Sequence, residues 1–286
     1  MRQAILVHLH TQLMAHYITY NRRGLILNRF EDKVVIVTGA GSGLGQATCL
    51  QLAKEGAKLV LVDLNQAGLE DTKAKVLEVA PNTETLLITA NVSDEKAVED
   101  YVKQAVSTFG KIDGFFNNAG IEGKQNLTEN FGIDEFQKVV SVNLNGVFYG
   151  MKYVLKVMHE QGYGSIVNTA SVGGIRGVGN QSGYSASKHG VVGLTRNSAV
   201  EYGQFGISIK AIAPGAIMTP MVEGSLRQIG GENWEEAGRE FVQSNPMKRF
   251  GKPEEIGYLV AFLLSYQADF INGAVIPIDG GQSYKY

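Results

Sequence analysis

A single cysteine in 286 residues excludes an intrachain disulfide framework, and Cys49 falls in a helical pattern where a small buried side chain is expected. Charge is sparse and balanced, at 19% of residues with a net of -2, so nothing draws the chain generally toward nucleic acid. No run of about 18 apolar residues occurs, and no membrane-spanning helix is expected. The six prolines nowhere cluster into a linker, and no repeat interrupts residues 31–286, which read as one domain. What the chain does have is glycine, 35 residues of it, and a 44% hydrophobic content that suits one large core.

Residues 1–30 differ from the rest. They carry Arg2, Arg22, Arg23 and Arg29 without an acid, and His8, His10 and His16. An acid-free, Arg-bearing leader is similar in composition to a transit peptide; the plainer reading is a tail outside the fold. No Cys, Asp or Glu accompanies His8 and His10, so no metal site is expected.

From Phe30 the pattern is regular. Val34–Val37 is a short β-branched run of the kind buried on both faces of a parallel sheet. It feeds Gly39, Ser42, Gly43, Leu44 and Gly45, then a helical pattern that stops at Gly56. Strand, glycine loop and helix N-terminus together form an anion site suited to a pyrophosphate. The next strand, Lys58–Val62, ends at Asp63, eighteen residues after Gly45. An acid there accepts hydrogen bonds from a ribose diol and repels a 2′-phosphate, or else it caps the following helix. No Lys or Arg follows at once, which predicts NAD as cofactor.

Strand and helix patterns then alternate. Strands are predicted at 84–89, 112–116, 165–170, 207–212 and 274–278, and helices at 65–79, from Ser93, at 134–160 and at 253–264. The fold class is therefore α/β, a Rossmann-type doubly wound parallel sheet with helices on both faces.

Tyr184 and Lys188, four apart, lie on one face of a predicted helix that ends near Gly203. A lysine cation beside a phenol is expected to lower the tyrosine pKa toward neutrality, making it a general acid or base. Ser171, thirteen residues upstream, closes a strand and could offer its hydroxyl to the same oxygen. Alone, such a pair arises by chance in many helices. Joined to Thr38-Gly39, Gly43-Leu44-Gly45, Asn117-Asn118-Ala119-Gly120, Asn143 and Pro214-Gly215, it resembles the short-chain dehydrogenase/reductase family from about residue 31 to the C-terminus.

The resemblance implies a tetrad of Asn143, Ser171, Tyr184 and Lys188. Tyr184 would exchange the proton, Lys188 would hold the nicotinamide ribose, Ser171 would bind the reacting oxygen, and Asn143 would fix a water leading to Lys188. A polar residue satisfying a kinked helix is the other reading of Asn143. The resemblance also implies cofactor contacts beyond the glycine loop and Asp63: Asn91 and Val92 near the adenine, and Asn118, Ala119 and Gly120 at the next strand end. Pro214, Gly215, Ile217 and Thr219 complete that set. Asn91 stands where the family usually has Asp, with its amide oxygen available as acceptor.

Residues 216–245, with Met218, Met221, Val222, Leu226, Trp234 and Phe241, read as a lid. They suit an apolar, bulky ketone or secondary alcohol, or merely pack the lid onto the body. Val172, Gly173, Ile175 and Gln181 are expected on the opposite wall with Ser171 and Tyr184, and Met221 on the lid side. Arg176 and Lys124 read as carboxylate ligands or as solvated charge. An acyl-carrier-linked 3-oxoacyl reductase and a non-catalytic nucleotide sensor are the alternatives. A cytoplasmic homotetramer, with neither membrane nor nucleic acid as partner, completes the expectation.

Overall fold

The computed structural model describes residues 18–21, 24–243 and 245–284. Two short strands, β1 (Ile18–Asn21) and β2 (Gly24–Leu27), pair antiparallel as a hairpin apart from the main sheet. Tight attachment to the body is visible at the next residues. Arg29 clasps Glu55 through Nε and Nη2, both at 2.6 Å, and Phe30 is buried. His8, His10 and His16 lie outside the described residues.

The main sheet has seven strands: β3 (Val34–Thr38), β4 (Lys58–Asp63), β5 (Thr85–Thr89), β6 (Gly114–Asn117), β7 (Gly164–Thr169), β8 (Ile207–Pro214) and β9 (Val275–Ile278). They run parallel throughout, in the order β5-β4-β3-β6-β7-β8-β9. The apolar run of β3 shows why the strands lack a polar alternation. Val34 and Ile36 enter one core while Val35 and Val37 enter the other, and all four are buried.

The first core is closed by α3 (Glu95–Phe109), α5 (Gly146–Gln161) and α6 (Ser182–Tyr202), through Tyr101, Val154 and Val191. The second is closed by α1 (Gly43–Lys54), α2 (Gln66–Val79) and α9 (Pro253–Leu264), through Cys49, Leu69 and Val260. Cys49 is wholly buried, and burial pushes its thiol pKa up, as an inert core residue requires.

The predicted long helix is interrupted. α4 (Ile133–Val140) passes into a π turn at Ser141–Asn145 before α5 begins. The predicted lid is two helices, α7 (Pro220–Gly230) and α8 (Trp234–Gln243). Among the described residues, no helix is long and apolar enough to cross a membrane, and no cluster of three metal-ligating side chains occurs.

The chain builds β3, β4 and β5 outward in one direction, then returns to place β6 on the other side of β3. This reversal opens a crevice at the C-terminal ends of β3 and β6, where parallel α/β sheets bind ligands.

Candidate active site

The β3 end turns sharply through Gly39 (φ +67°) and Gly43 (φ +52°), conformations that side chains disfavour. A Cβ on Gly39 would meet Asn118 Nδ2 at 2.8 Å, and one on Gly45 would strike Gly39 O at 2.0 Å. Glycine thus lets α1 pack onto its own loop and leaves backbone lining the crevice. Ser42, the N-cap of α1, makes no side-chain capping bond. The first-turn N–H groups therefore have no side-chain partner and suit a pyrophosphate.

Asp63 closes this end. Its Oδ2 accepts from Gly41 N and its Oδ1 from Asn65 N, both at 2.9 Å. A carboxylate has about four acceptor sites, so capacity remains for a ribose diol. Asn91 and Val92 line the same cavity. Asn91 differs from the expectation: its amide oxygen already accepts the Ser93 N–H (3.0 Å) and hydroxyl (2.8 Å). What Asn91 retains is its donor side.

Three strand ends are locked together at the crevice. Thr38 Oγ1 accepts from Asn118 N (2.9 Å) and Ala119 N (3.0 Å), while Asn118 Nδ2 donates to Thr38 O (3.0 Å). Thr169 Oγ1 donates to Asn118 Oδ1 at 3.2 Å. Thr38 was named only as part of the family motif, and Thr169 was not singled out; a threonine closing each strand was the available signal.

Further along the cavity stand the proton-handling groups. The turn after β7 carries Ser171, whose Oγ accepts from Gly173 N at 3.1 Å. Gly174 allows this turn to press against α6, because a Cβ there would lie 2.6 Å from Lys188 O. That contact brings Ser171 into hydrogen-bonding reach of Tyr184. One turn on, Lys188 Nζ lies 5.5 Å from the Tyr184 ring centroid and donates to Thr169 O at 2.8 Å.

Asn143 is wholly buried in the π turn. Its Nδ2 donates to Ile121 O (2.7 Å) and Ser187 Oγ (3.3 Å), and its Oδ1 accepts from Ile121 N (2.8 Å). The side chain thus holds the loop following β6, at Ile121, rather than a carbonyl of its own helix. A Cβ on Gly120 would approach both Asn143 Oδ1 (3.1 Å) and Lys188 Nζ (3.5 Å), so the three positions converge.

The expected depression of the tyrosine pKa is not found. Burial pushes Tyr184 up to about 12, the Ser171 hydrogen bond opposes this, and the Glu122 charge adds to it. Burial also lowers Lys188 to about 8. The ammonium is committed to Thr169 O and faces the ring, so desolvation outweighs its attraction for a phenolate. The protein's own groups keep this phenol protonated at neutral pH.

The cavity has a volume of about 700 Å³. Its walls include Gly39, Ser42, Gly43, Leu44 and Asp63 at one end, and Ser171, Tyr184 and Lys188 at the other. Asn118, Ala119, Gly120, Pro214, Gly215, Ile217 and Thr219 line the stretch between. Gly45 and Asn143 lie behind the walls in supporting positions.

Met221 and Val222 of α7 close over the cavity with Val142 and Ile121, which the sequence did not single out. Val172, Gly173 and Gln181 are not among the lining residues. Val172 and Gly173 are buried in the turn, and Gln181 Nε2 donates to Glu122 Oε1. Leu226 packs beneath Gly238, and Trp234 stacks on Arg227, so these lid residues hold the lid together. Arg176 is bonded to the Gln282 carbonyl.

Comparison with known proteins agrees with this geometry. A family model described as enoyl-(acyl carrier protein) reductase matches residues 39–283. Levodione reductase of Leifsonia aquatica is 64% identical over 258 residues, covering 90% of this chain and 97% of that protein. Cyclohexanol dehydrogenase of Acinetobacter sp. (strain SE19) is 41% identical, covering 91% and 99%. The crystal structure of levodione reductase superposes with a TM-score of 0.89 over 90% of this chain and 100% of that one, at 64% identity. NAD+-bound xylitol dehydrogenase gives 0.84 at 36% identity, over 88% and 99%. The chain belongs to the short-chain dehydrogenase/reductase family.

Proposed function

We propose that this chain moves a hydride between NAD(H) and a ketone or secondary alcohol, with an apolar cyclic ketone as the preferred substrate class. The observation that carries the reading is the meeting of Ser171, Tyr184 and Lys188 in the cavity that the glycine loop and Asp63 enter from the other end. The similarity to proteins named for levodione and cyclohexanol supports a cyclic substrate, as do the apolar side chains of Val142, Met221 and Val222.

When bound, the nicotinamide supplies or accepts the hydride, and in its oxidised form brings positive charge that favours the phenolate. The loop around Gly39–Leu44 would hold the pyrophosphate and Asp63 the adenosine diol. In reduction, Tyr184 Oη donates its proton to the substrate oxygen, and Ser171 Oγ donates a hydrogen bond to the same oxygen as charge grows on it. Lys188 would stabilise the phenolate left behind and would hold the nicotinamide ribose. Asn143 positions the Ile121 backbone, and with it the cavity wall.

Residues 31–286 would form the catalytic domain. A cytoplasmic homotetramer belongs to the same proposal, supported by exposed Phe148, Val200, Tyr258, Tyr266 and Phe270, apolar surface suited to subunit contacts.

The test follows nicotinamide absorbance against cyclic diketones, cyclohexanols, steroids, sugars and acyl thioesters. Cyclic ketones should turn over fastest, and Tyr184→Phe should lower kcat by about 10²–10⁴-fold while NADH affinity is kept. Turnover of thioesters alone would favour an acyl-carrier role. No turnover of any substrate class, with NADH still bound, would favour a sensor.

A further inference from the structure

Glu122 stands next to Ile121 on the cavity wall, yet it belongs to none of the proton-transfer steps above. Its single oxygen Oε1 collects three side-chain donors from three parts of the molecule. Ser225 Oγ of α7 donates at 2.9 Å, Gln125 Nε2 of the same loop at 3.3 Å, and Gln181 Nε2 at the N-cap of α6 also donates. Gln125 Nε2 reaches Ser225 Oγ as well, at 2.6 Å.

One turn along α7, Gln228 Nε2 meets Gly123 O at 3.5 Å. Among the described residues, the side-chain hydrogen bonds that leave α7 for the rest of the molecule are those of Ser225 and Gln228, and they land on residues 122–125. The landing site is firm, since Asn143 grips both the N–H and the carbonyl of Ile121.

The helix so attached is the one that carries Met221 and Val222 over the cavity. Gly231, at φ +56°, ends α7 and separates it from α8. Polar tethering of a lid by one carboxylate concentrates its closure on that charge, because hydrogen bonds to an ionised acceptor are roughly twice as strong as neutral ones.

We propose that Glu122 is a positioning residue that latches α7 closed over the substrate, through Ser225, and so sets substrate retention and product release. The proposal rests on the ketone-reductase reading of this cavity, but its principal readout does not require turnover.

The test is amide hydrogen exchange of the holoenzyme with NADH, following peptides of α7 and, as reference, of α3, which among the described residues makes no hydrogen bond to Glu122. Glu122→Gln and Ser225→Ala should each speed exchange across residues 222–230 by about tenfold, the equivalent of one charge-assisted hydrogen bond. Exchange in α3 should stay as in the wild type. The ketone KM should rise by a similar factor while kcat holds or increases, since opening becomes easier. Ser225→Thr, which keeps a hydroxyl, should restore wild-type exchange. The double variant should be no worse than Glu122→Gln alone, as expected for two ends of one bond.

Wild-type exchange in both single variants would overturn the latch. So would additive effects, or a fall in kcat at constant KM, which would place Glu122 in the chemistry itself. If Glu122→Gln fails to fold, the Ser225 pair decides by the same criteria. Loss of the ketone-reductase reading would show as absent turnover with the exchange pattern intact, so the two failures are distinct.

Discussion

The Asp63 carboxylate accepts the backbone N–H of Gly41 at 2.9 Å, so the acid that ends β4 also braces the loop that ends β3. The two halves of a dinucleotide site are thereby one mechanical unit. A Cβ on Gly41 would lie 3.0 Å from that carboxylate, which shows how closely loop and acid approach.

Cofactor preference should follow from this pair. Wild-type kcat/KM should favour NADH over NADPH by on the order of a hundredfold, from lost diol hydrogen bonds and like-charge repulsion. Asp63→Ser with Leu64→Arg should move the preference toward NADPH, Leu64 being an exposed wall residue where an arginine can meet a phosphate. Because the Gly41 brace is lost too, NADH should weaken more than NADPH improves. Steady-state kinetics with both cofactors checks this, and equal use by the wild type would remove the role given to Asp63.

The two reaction directions should part company with pH. Tyr184 is raised to about 12 and Lys188 lowered to about 8, so at neutral pH the phenol is protonated and the ammonium is largely charged. Ketone reduction should therefore be flat below pH 8 and fall above it, as the lysine discharges. Alcohol oxidation, which needs the phenolate as base, should rise with pH over the same interval. Profiles of kcat/KM in both directions measure this; parallel profiles would be the contrary result.

A second buried lysine should set a pH dependence of stability. Lys210 is wholly buried on β8, donating to Ser208 Oγ (2.7 Å) and Ser165 Oγ (3.1 Å), with no ion-pair partner among the described residues. Burial lowers it to about 8, against a smaller opposing effect of Asp269. Its folded pKa lies below its unfolded one, so the unfolded chain binds more protons between about pH 8 and 10.5, and stability rises with pH across that window. Lys210→Met should flatten this rise and add about 1–3 kcal/mol at pH 7. Urea unfolding at pH 7 and 9.5 decides it, an unchanged slope being the adverse outcome.

Truncation should be tolerated to one side of Arg29 and not the other. Arg29 forms a nearly buried, two-pronged pair with Glu55, itself buried. A chain beginning at Asn28 should unfold like the full chain, whereas one beginning at Phe30 should lose about 3–5 kcal/mol by stranding the carboxylate. Thermal melts of both check the boundary, and equal stability would detach Arg29 from the fold.

The sheet was legible because strands covered on both faces read as unbroken apolar runs, as at Val34–Val37. The phosphate loop was legible because glycine positions carry backbone conformation directly. Other features depend on contacts between distant segments. Nothing around Glu122 foretells that Ser225, a hundred and three residues on, will bond to it. The lysine–tyrosine spacing fixed a shared face but not how deeply the phenol is buried, and that burial reversed the expected pKa shift. Gln181 could be placed near the site by sequence but not turned toward Glu122 rather than the cavity.

The π turn at Ser141–Asn145 gives this chain an unequal tolerance to changes of length. Gly146 N bonds back to Ser141 O, one residue further than an α-helix would reach, so the segment holds a residue in surplus. Deleting one residue here could heal the helix into regular α geometry without breaking the backbone ladder. The healed helix would nonetheless turn Asn143 away by about a quarter-turn and release Ile121 from its grip. A gene losing one codon in this stretch would thus encode a chain that still folds but has an unsupported cavity wall, a lesion that selection for activity would see and selection for solubility would miss.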